Sequence, residues 1–77
     1  RQTTHLSISN NNINQDGAIM IANELSIPEC NLEYIDLGNN PIEEAGMIRI
    51  AIASRNRNSK IKRIDHEIYR PIFSKTI

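Results

Sequence analysis

The chain contains 77 residues, and nine lysines and arginines balance nine aspartates and glutamates, so the formal net charge is zero. A chain of this length makes at most one small domain with a modest core. Balanced charge gives no long-range attraction to nucleic acid or to an acidic membrane, and no apolar run approaches the roughly 20 residues of a membrane helix. We therefore expect neither nucleic acid nor a membrane as a partner.

The first unit of the chain predicts a strand followed by a helix. Leu6 and Ile8 alternate with polar residues, which is the period of a strand with one face directed inward. Asn11 falls where this strand ends and the chain turns. Apolar residues at helical spacing then predict a helix over residues 16–25, with Asp16 in its first turn.

The second unit repeats the first at a constant offset, so that residues 35–51 align with residues 6–22. In this alignment, seven of the seventeen positions are identical. A second strand is expected at Ile35 and Leu37, and a second helix over residues 43–53. Because a helical return leg separates the strands, they should stack in parallel.

A glycine recurs at Gly17 and Gly46, inside the first turn of each predicted helix, and the two glycines are separated by the same repeat offset. Glycine lowers helix propensity at such positions. Its recurrence predicts that each helix start lies close to the strand layer, with no room for a side chain.

The third unit departs from the repeat. A strand start is kept, but His66 stands where the second unit has Leu37, and Tyr69 stands where it has Asn40. A terminal repeat is expected to be atypical, because it must cover the open end of the core. The apolar residues that we expect to form such a cap are Ile68, Tyr69, Ile72 and Phe73.

The repeated pattern, with its 29-residue spacing and the approach Pro28-Glu-Cys30-Asn-Leu32, resembles the ribonuclease-inhibitor class of leucine-rich repeats. The resemblance covers residues 3 to about 66. It implies an α/β leucine-rich-repeat solenoid, a fragment of a right-handed horseshoe with parallel strands on the concave side and helices on the convex side. We expect one domain fragment over residues 1–77. Its units are expected at about 3–31 and 32–60, with a partial C-terminal capping unit at 61–77.

Two sets of candidate residues follow from this arrangement. Asn11 and Asn40 are predicted to form a structural asparagine ladder, in which a buried amide satisfies backbone groups of its own and neighbouring turns. The resemblance implies that the concave strand face binds a protein, although a solvated face without a partner stays open as the alternative. The predicted protein-binding residues on that face are His5, Ser7, Tyr34, Asp36, Arg63 and Asp65.

Four apolar helix residues lie off the expected inward stripe, namely Ile19, Met20, Ile48 and Ile52. We expect them to fill the seam between neighbouring helices, because the core of a repeat protein is continuous sideways. The alternative is that Met20 and Ile52 mark an apolar contact on the convex side.

No enzyme signature is present. The sequence has no glycine-rich phosphate loop, nucleophile elbow or paired-carboxylate motif. The single Cys30 cannot form an intrachain disulfide, and with the distant His5 and His66 it cannot make a zinc site. We therefore predict no catalytic residue, no cofactor and no metal. The absence of an Asn-x-Ser/Thr sequon agrees with a reducing, cytoplasmic location.

The leading functional hypothesis is a non-catalytic protein–protein interaction module, the C-terminal part of a ribonuclease-inhibitor-like repeat domain. One alternative is an enzyme-regulatory repeat domain, either a GTPase-activating protein of the Ran type or the sensing domain of a nucleotide-binding receptor. Another is a structural segment of a large assembly. Because the chain starts at Arg1 without a signal-like segment, we expect it to belong to a longer chain or to self-associate through its exposed N-terminal edge.

Overall fold

The computed structural model describes residues 3–69. Strands and helices alternate along the chain. The elements are β1 (His5–Ser7), α1 (Gln15–Leu25), β2 (Tyr34–Asp36), α2 (Glu44–Ser54) and β3 (Arg63–Asp65). The predicted cap residues Ile72 and Phe73 lie outside the described residues.

The three strands form one parallel sheet in the order β1-β2-β3. Leu6 pairs with Ile35, and Ile35 pairs with Ile64. The constant offset between the sequence repeats is therefore one strand step in the sheet. The predicted α/β repeat fragment with parallel strands is confirmed, and α1 and α2 are the return legs between successive strands.

The helices begin close to the predicted positions. Asn14 is extended, with φ −99° and ψ −166°, and caps α1, because its side-chain oxygen accepts a hydrogen bond of 3.1 Å from the N–H of Gly17. Asn14 was not predicted as the cap, and the predicted helix start at Asp16 is one residue late. Glu43 precedes α2 in extended conformation but makes no side-chain capping bond.

The core lies between the helices and one face of the sheet. Each helix buries the predicted stripe, which includes Ala18 and Ala22 of α1. The largest fully buried side chains are Leu25, Ile35, Leu37, Met47 and Ile50. Burial of each such side chain stabilises the fold by roughly 1.5–3 kcal/mol.

Gly46 allows a close approach, but its neighbours differ from those predicted. A Cβ at this position would lie 3.0 Å from Cγ2 of Ile42 and 3.1 Å from Cβ of Ala18. Ile42 belongs to the loop before α2, and Ala18 belongs to α1. The missing side chain therefore brings the two helices together, and the prediction of a contact with the strand layer was wrong.

The prediction that the off-stripe apolar residues fill the seam between neighbouring helices was also wrong for two of them. Met20 is 69% exposed and Ile52 is 63% exposed, because the helical period directs both away from the neighbouring helix. Ile19 is half-buried, whereas its repeat partner Ile48 is 38% exposed.

Candidate functional site

The sheet has an open face, which we define by the six side chains that flank the core-facing residue of each strand. These residues are His5 and Ser7 of β1, Tyr34 and Asp36 of β2, and Arg63 and Asp65 of β3. Adjacent residues of a strand point to opposite faces, and the parallel register aligns the strands without a shift. The structure thus brings all six predicted residues together in two rows.

The first row is His5, Tyr34 and Arg63. The ring centroids of His5 and Tyr34 are 5.6 Å apart and the rings are inclined by 53°. On the other side, Cζ of Arg63 lies 5.3 Å from the centroid of the Tyr34 ring, within the range of a cation–π contact. Tyr34 is therefore the centre of a continuous row of aromatic and cationic groups.

The hydroxyl of Tyr34 is fixed by the second row. It donates a hydrogen bond of 2.8 Å to Oδ2 of Asp65. This hydrogen bond, with a smaller effect of burial, raises the pKa of Tyr34, and the positive charge of Arg63 opposes the rise. The phenolate form would lose the donated bond and lie beside a carboxylate, so Tyr34 is a neutral donor with a fixed ring at neutral pH.

The carboxylates of the second row have partners within the sheet. Asp36 accepts a hydrogen bond of 3.3 Å from the hydroxyl of Ser7 and one of 3.0 Å from the N–H of Gly38. Asp65 lies 3.4 Å from Nη2 of Arg63 in addition to its bond with Tyr34. The Ser7–Asp36 and Tyr34–Asp65 bonds cross from strand to strand, whereas the contacts of Gly38 and Arg63 are local, and together they hold the open face in one arrangement.

Glu67 extends the acidic end of the open face beyond β3. Its two carboxylate oxygens lie 3.2 and 2.9 Å from the backbone nitrogen of Asn39, which donates to them. Its own backbone N–H and that of Asn39 lower the pKa of Glu67, because both favour the carboxylate. Glu67 was not among the predicted site residues, although the repeat offset aligns it with Gly38.

At the opposite end of the rows lies a shallow depression of about 430 Å³. Its lining residues are His5, Glu33, Tyr34, Lys62 and Arg63. Nζ of Lys62 lies 3.8 Å from Oε1 of Glu33, and the two side chains are 76% and 41% exposed. Glu33 and Lys62 were not predicted as site residues, because they precede the strands and lie outside the alternation that identifies the other lining residues.

The side chain of Asn40 joins the turn of the first unit to that of the second by hydrogen bonds. Its side chain is almost fully buried, with 6% of the residue exposed. Oδ1 accepts hydrogen bonds from the N–H groups of Asn11 and Ile13 at 2.8 and 2.9 Å. Nδ2 donates to the carbonyl oxygens of Ile8 and Leu37 at 3.0 and 2.9 Å. These are the backbone contacts that the ladder hypothesis requires of a buried asparagine.

Asn11 does not share this environment. It is exposed, and its side-chain nitrogen donates to the carbonyl oxygen of Ser9, two residues earlier, at 3.0 Å. Among residues 3–69, Asn11 does not make the contacts predicted for the ladder, because an asparagine in this register serves the turn of the unit before it. Residues 3–69 contain no unit before β1.

His66 continues the connection in the third unit. Its side chain is 4% exposed, its Nε2 lies 3.0 Å from the carbonyl oxygen of Asn40, and its Nδ1 accepts the N–H of Ile68 at 3.2 Å. Nε2 therefore carries the hydrogen and donates a hydrogen bond to the carbonyl oxygen of Asn40. His66 occupies the repeat position of Leu37 in the third unit, but its hydrogen-bonding role was not predicted.

The neighbouring Asp65 and His66 do not face each other. Asp65 belongs to the open face, whereas the neighbouring His66 is directed into the core. Among residues 3–69, no three His, Cys, Asp or Glu side chains are grouped so that they could hold a metal ion. Over the same range, neither helix combines the length and the hydropathy needed to span a membrane.

Comparison with known proteins agrees with the repeat architecture. A family model described as leucine-rich repeat matches residues 4–22 and 30–51, which together are more than half of the chain. No curated protein and no solved structure matches the chain significantly. The two matched segments contain β1 with most of α1, and β2 with most of α2. The chain belongs to the leucine-rich repeat family.

Proposed function

We propose that this chain is a non-catalytic protein-interaction module and that it binds a protein partner through the open face of its sheet. Leucine-rich repeats are generally protein-interaction modules. The observation that carries the proposal for this face is the row His5–Tyr34–Arg63, in which a tyrosine is held between an imidazole and a guanidinium.

Tyrosine and arginine are enriched among the residues that contribute most binding energy in protein interfaces. A side chain that is already ordered loses less conformational entropy on binding. The hydrogen bond of 2.8 Å from Tyr34 to Asp65 orders the ring in the unbound protein. These properties favour a protein partner over a bare solvated face.

The finer classification is part of the same proposal. Paired residues of neighbouring strands are one sequence repeat apart, and each return leg contains an α-helix of 11 residues. Both features support the ribonuclease-inhibitor-like class and its horseshoe curvature. The departures at His66 and Tyr69 support a place at the C-terminal end of a repeat domain. The half-buried free thiol of Cys30 is compatible with a cytoplasmic location.

The enzyme-regulatory and assembly hypotheses use the same fold. A GTPase-activating protein of the Ran type or a receptor sensing domain would need functional residues in other units. No observation among residues 3–69 favours either one, or a purely structural segment, over protein binding by the open face.

Photo-crosslinking in cells tests the proposal. Benzoylphenylalanine replaces Tyr34 on the open face of the full-length protein, and Arg49 on the exposed side of α2 serves as the control position. We expect a discrete protein adduct from Tyr34→benzoylphenylalanine that the Arg49 variant lacks. The same adducts from both positions, or none from either, would contradict binding through the open face.

The partner recovered in this way allows a quantitative comparison. Tyr34→Ala or Arg63→Ala should weaken binding by about 1–2 kcal/mol or more, and Arg49→Ala should not. Lys60, at first sight a convenient loop control, is unsuitable, because its Nζ donates to the carbonyl oxygens of Pro28 and Cys30 at 2.9 and 3.2 Å. Its removal would disturb the connection between two loops.

A further inference from the structure

The two ends of the open face differ in how their charges are used. At the carboxyl ends of the strands, the acidic side chains already accept hydrogen bonds from within the protein. Asp36 is bonded to Ser7 and Gly38, and Glu67 is bonded to the N–H of Asn39. A cationic partner group at this end would compete with bonds that hold the sheet together.

The amino ends of the strands carry the charges that extend into solvent. The side chains of Lys62 and Arg63 are 76% and 67% exposed at the rim of the depression. Glu33 is the one carboxylate among its five lining residues, and it lies 3.8 Å from Lys62. The lining thus presents two permanent cations and an imidazole against one carboxylate, beside the ring of Tyr34, and Arg63 also pairs with Asp65 of the second row at 3.4 Å.

We propose that this depression receives an extended segment of a partner protein in which a glutamate or aspartate adjoins an apolar residue. The guanidinium of Arg63 and the ammonium of Lys62 match a carboxylate, and the ring of Tyr34 offers an apolar surface to the neighbouring side chain. An extended segment presents successive side chains at the spacing of a strand, which suits adjoining charged and aromatic subsites. The inference rests on the proposed function and specifies the partner for the same face.

Three fluorescein-labelled peptides test this inference on the full chain by fluorescence anisotropy. The first alternates glutamate and leucine, and in the others glutamine or lysine replaces every glutamate. At low salt, the glutamate peptide should bind about tenfold more tightly than the glutamine peptide, and the lysine peptide should bind most weakly. The preference should decrease as salt is added, because both cations are exposed.

Variants assign the preference to the depression. Lys62→Gln and Arg63→Gln should each reduce the preference for glutamate about threefold. Arg49→Gln removes a cation from the helical side and should leave the preference unchanged. Thermal melts of all three variants establish that each one is folded. Equal reductions in all three would place the effect outside the depression and overturn the inference.

Equal affinity for the glutamate and glutamine peptides, tighter binding of the lysine peptide, or no binding of any peptide would also overturn it. The proposed function is judged separately by the adduct at Tyr34. An adduct at Tyr34 without a preference for glutamate would leave protein binding standing with a partner of different chemistry. A preference for glutamate without an adduct would remove the proposed function and keep the carboxylate site.

Discussion

Nε2 of His66 donates a hydrogen bond of 3.0 Å to the carbonyl oxygen of Asn40, and the third unit is joined to the second by this contact. In the preceding pair of units, the corresponding connection is made by the side chain of Asn40 itself. The two connections reach different backbone groups, because Asn40 serves the N–H groups of Asn11 and Ile13, whereas His66 serves the carbonyl oxygen of Asn40. The third unit is thus joined to the second by a different residue, three positions before Tyr69, which stands at the asparagine position.

The first prediction compares the two asparagines of the predicted ladder. Asn40→Ala should destabilise the fold by about 3 kcal/mol, because it leaves several backbone groups of two turns without partners. Asn11→Ala removes a single exposed side-chain contact and should cost about 0.5 kcal/mol or less. Urea denaturation of both variants measures the difference. Equal losses of unfolding free energy in the two variants would contradict a stabilising role for the buried side chain of Asn40.

The second prediction concerns His66. His66→Leu restores the residue type that the second unit has at Leu37, but it removes the partners of the Asn40 carbonyl oxygen and the Ile68 N–H. Stability should fall by about 1–2 kcal/mol in spite of the more apolar side chain. His66→Gln should recover part of the loss, since its amide can donate. A leucine variant as stable as the parent protein would rule out a stabilising role for these hydrogen bonds.

The third prediction tests the close approach of the helices. Gly46→Ala should gain about 1 kcal/mol in helix propensity but lose roughly 1–3 kcal/mol to overpacking against Ile42 and Ala18, so the variant should be less stable. At Gly17 a Cβ would lie 2.8 Å from Cγ2 of Ile13, a half-buried side chain on the open flank of α1. Because Ile13 has more room to move, Gly17→Ala should be the milder substitution. A thermal shift assay that ranks the two variants in the opposite order would contradict the helix contact.

The fourth prediction is a pH dependence at Glu67. Its pKa is lowered in the folded protein by hydrogen bonds from its own N–H and from Asn39. Such a group stabilises the fold above its unfolded pKa of about 4.3, and the contribution is lost as the pH falls through the folded pKa. Glu67→Gln should therefore be less stable than the parent at neutral pH, and the difference should shrink below about pH 4.

A matched control for this titration is Glu24→Gln, which changes an exposed carboxylate on α1. Urea denaturation of the parent and of both variants between neutral and acidic pH measures the differences in stability. If the stability difference between Glu67→Gln and the parent is constant over the whole range, the hydrogen bonds to Asn39 do not couple to the charge of Glu67.

The constant offset between the repeats was sufficient to predict the strand register from sequence. Tyr34 aligns with Arg63 in the sequence repeat and pairs with it in the sheet, because equal repeat lengths leave the parallel strands no shift. The buried role of Asn40 was predictable for the same reason, since the polar residue recurs where the chain turns inward. The repeat was therefore sufficient to predict the parallel strands and the six residues that share the open face.

Contacts that differ between units could not be predicted in this way. Glu33 and Lys62 line the depression, but Thr4 stands at the equivalent position of the first unit, so no repeated pattern marks them. His66 joins the third unit to the second from a core position, through the carbonyl oxygen of Asn40. This contact depends on the reach and direction of the His66 ring. The exposure of Met20 depends on which side of α1 another helix covers, and a helical wheel does not specify that side.

The hydrogen bonds that join successive units run backward along the chain. The side chain of Asn40 serves three groups of the first unit, which lie between 27 and 32 residues earlier, and His66 serves a carbonyl 26 residues earlier. During synthesis the first turn leaves the ribosome well before the asparagine that completes it. The backbone of each turn must therefore stay hydrated until its successor has emerged, so the turns are completed in the order of translation, each with a delay of about one unit.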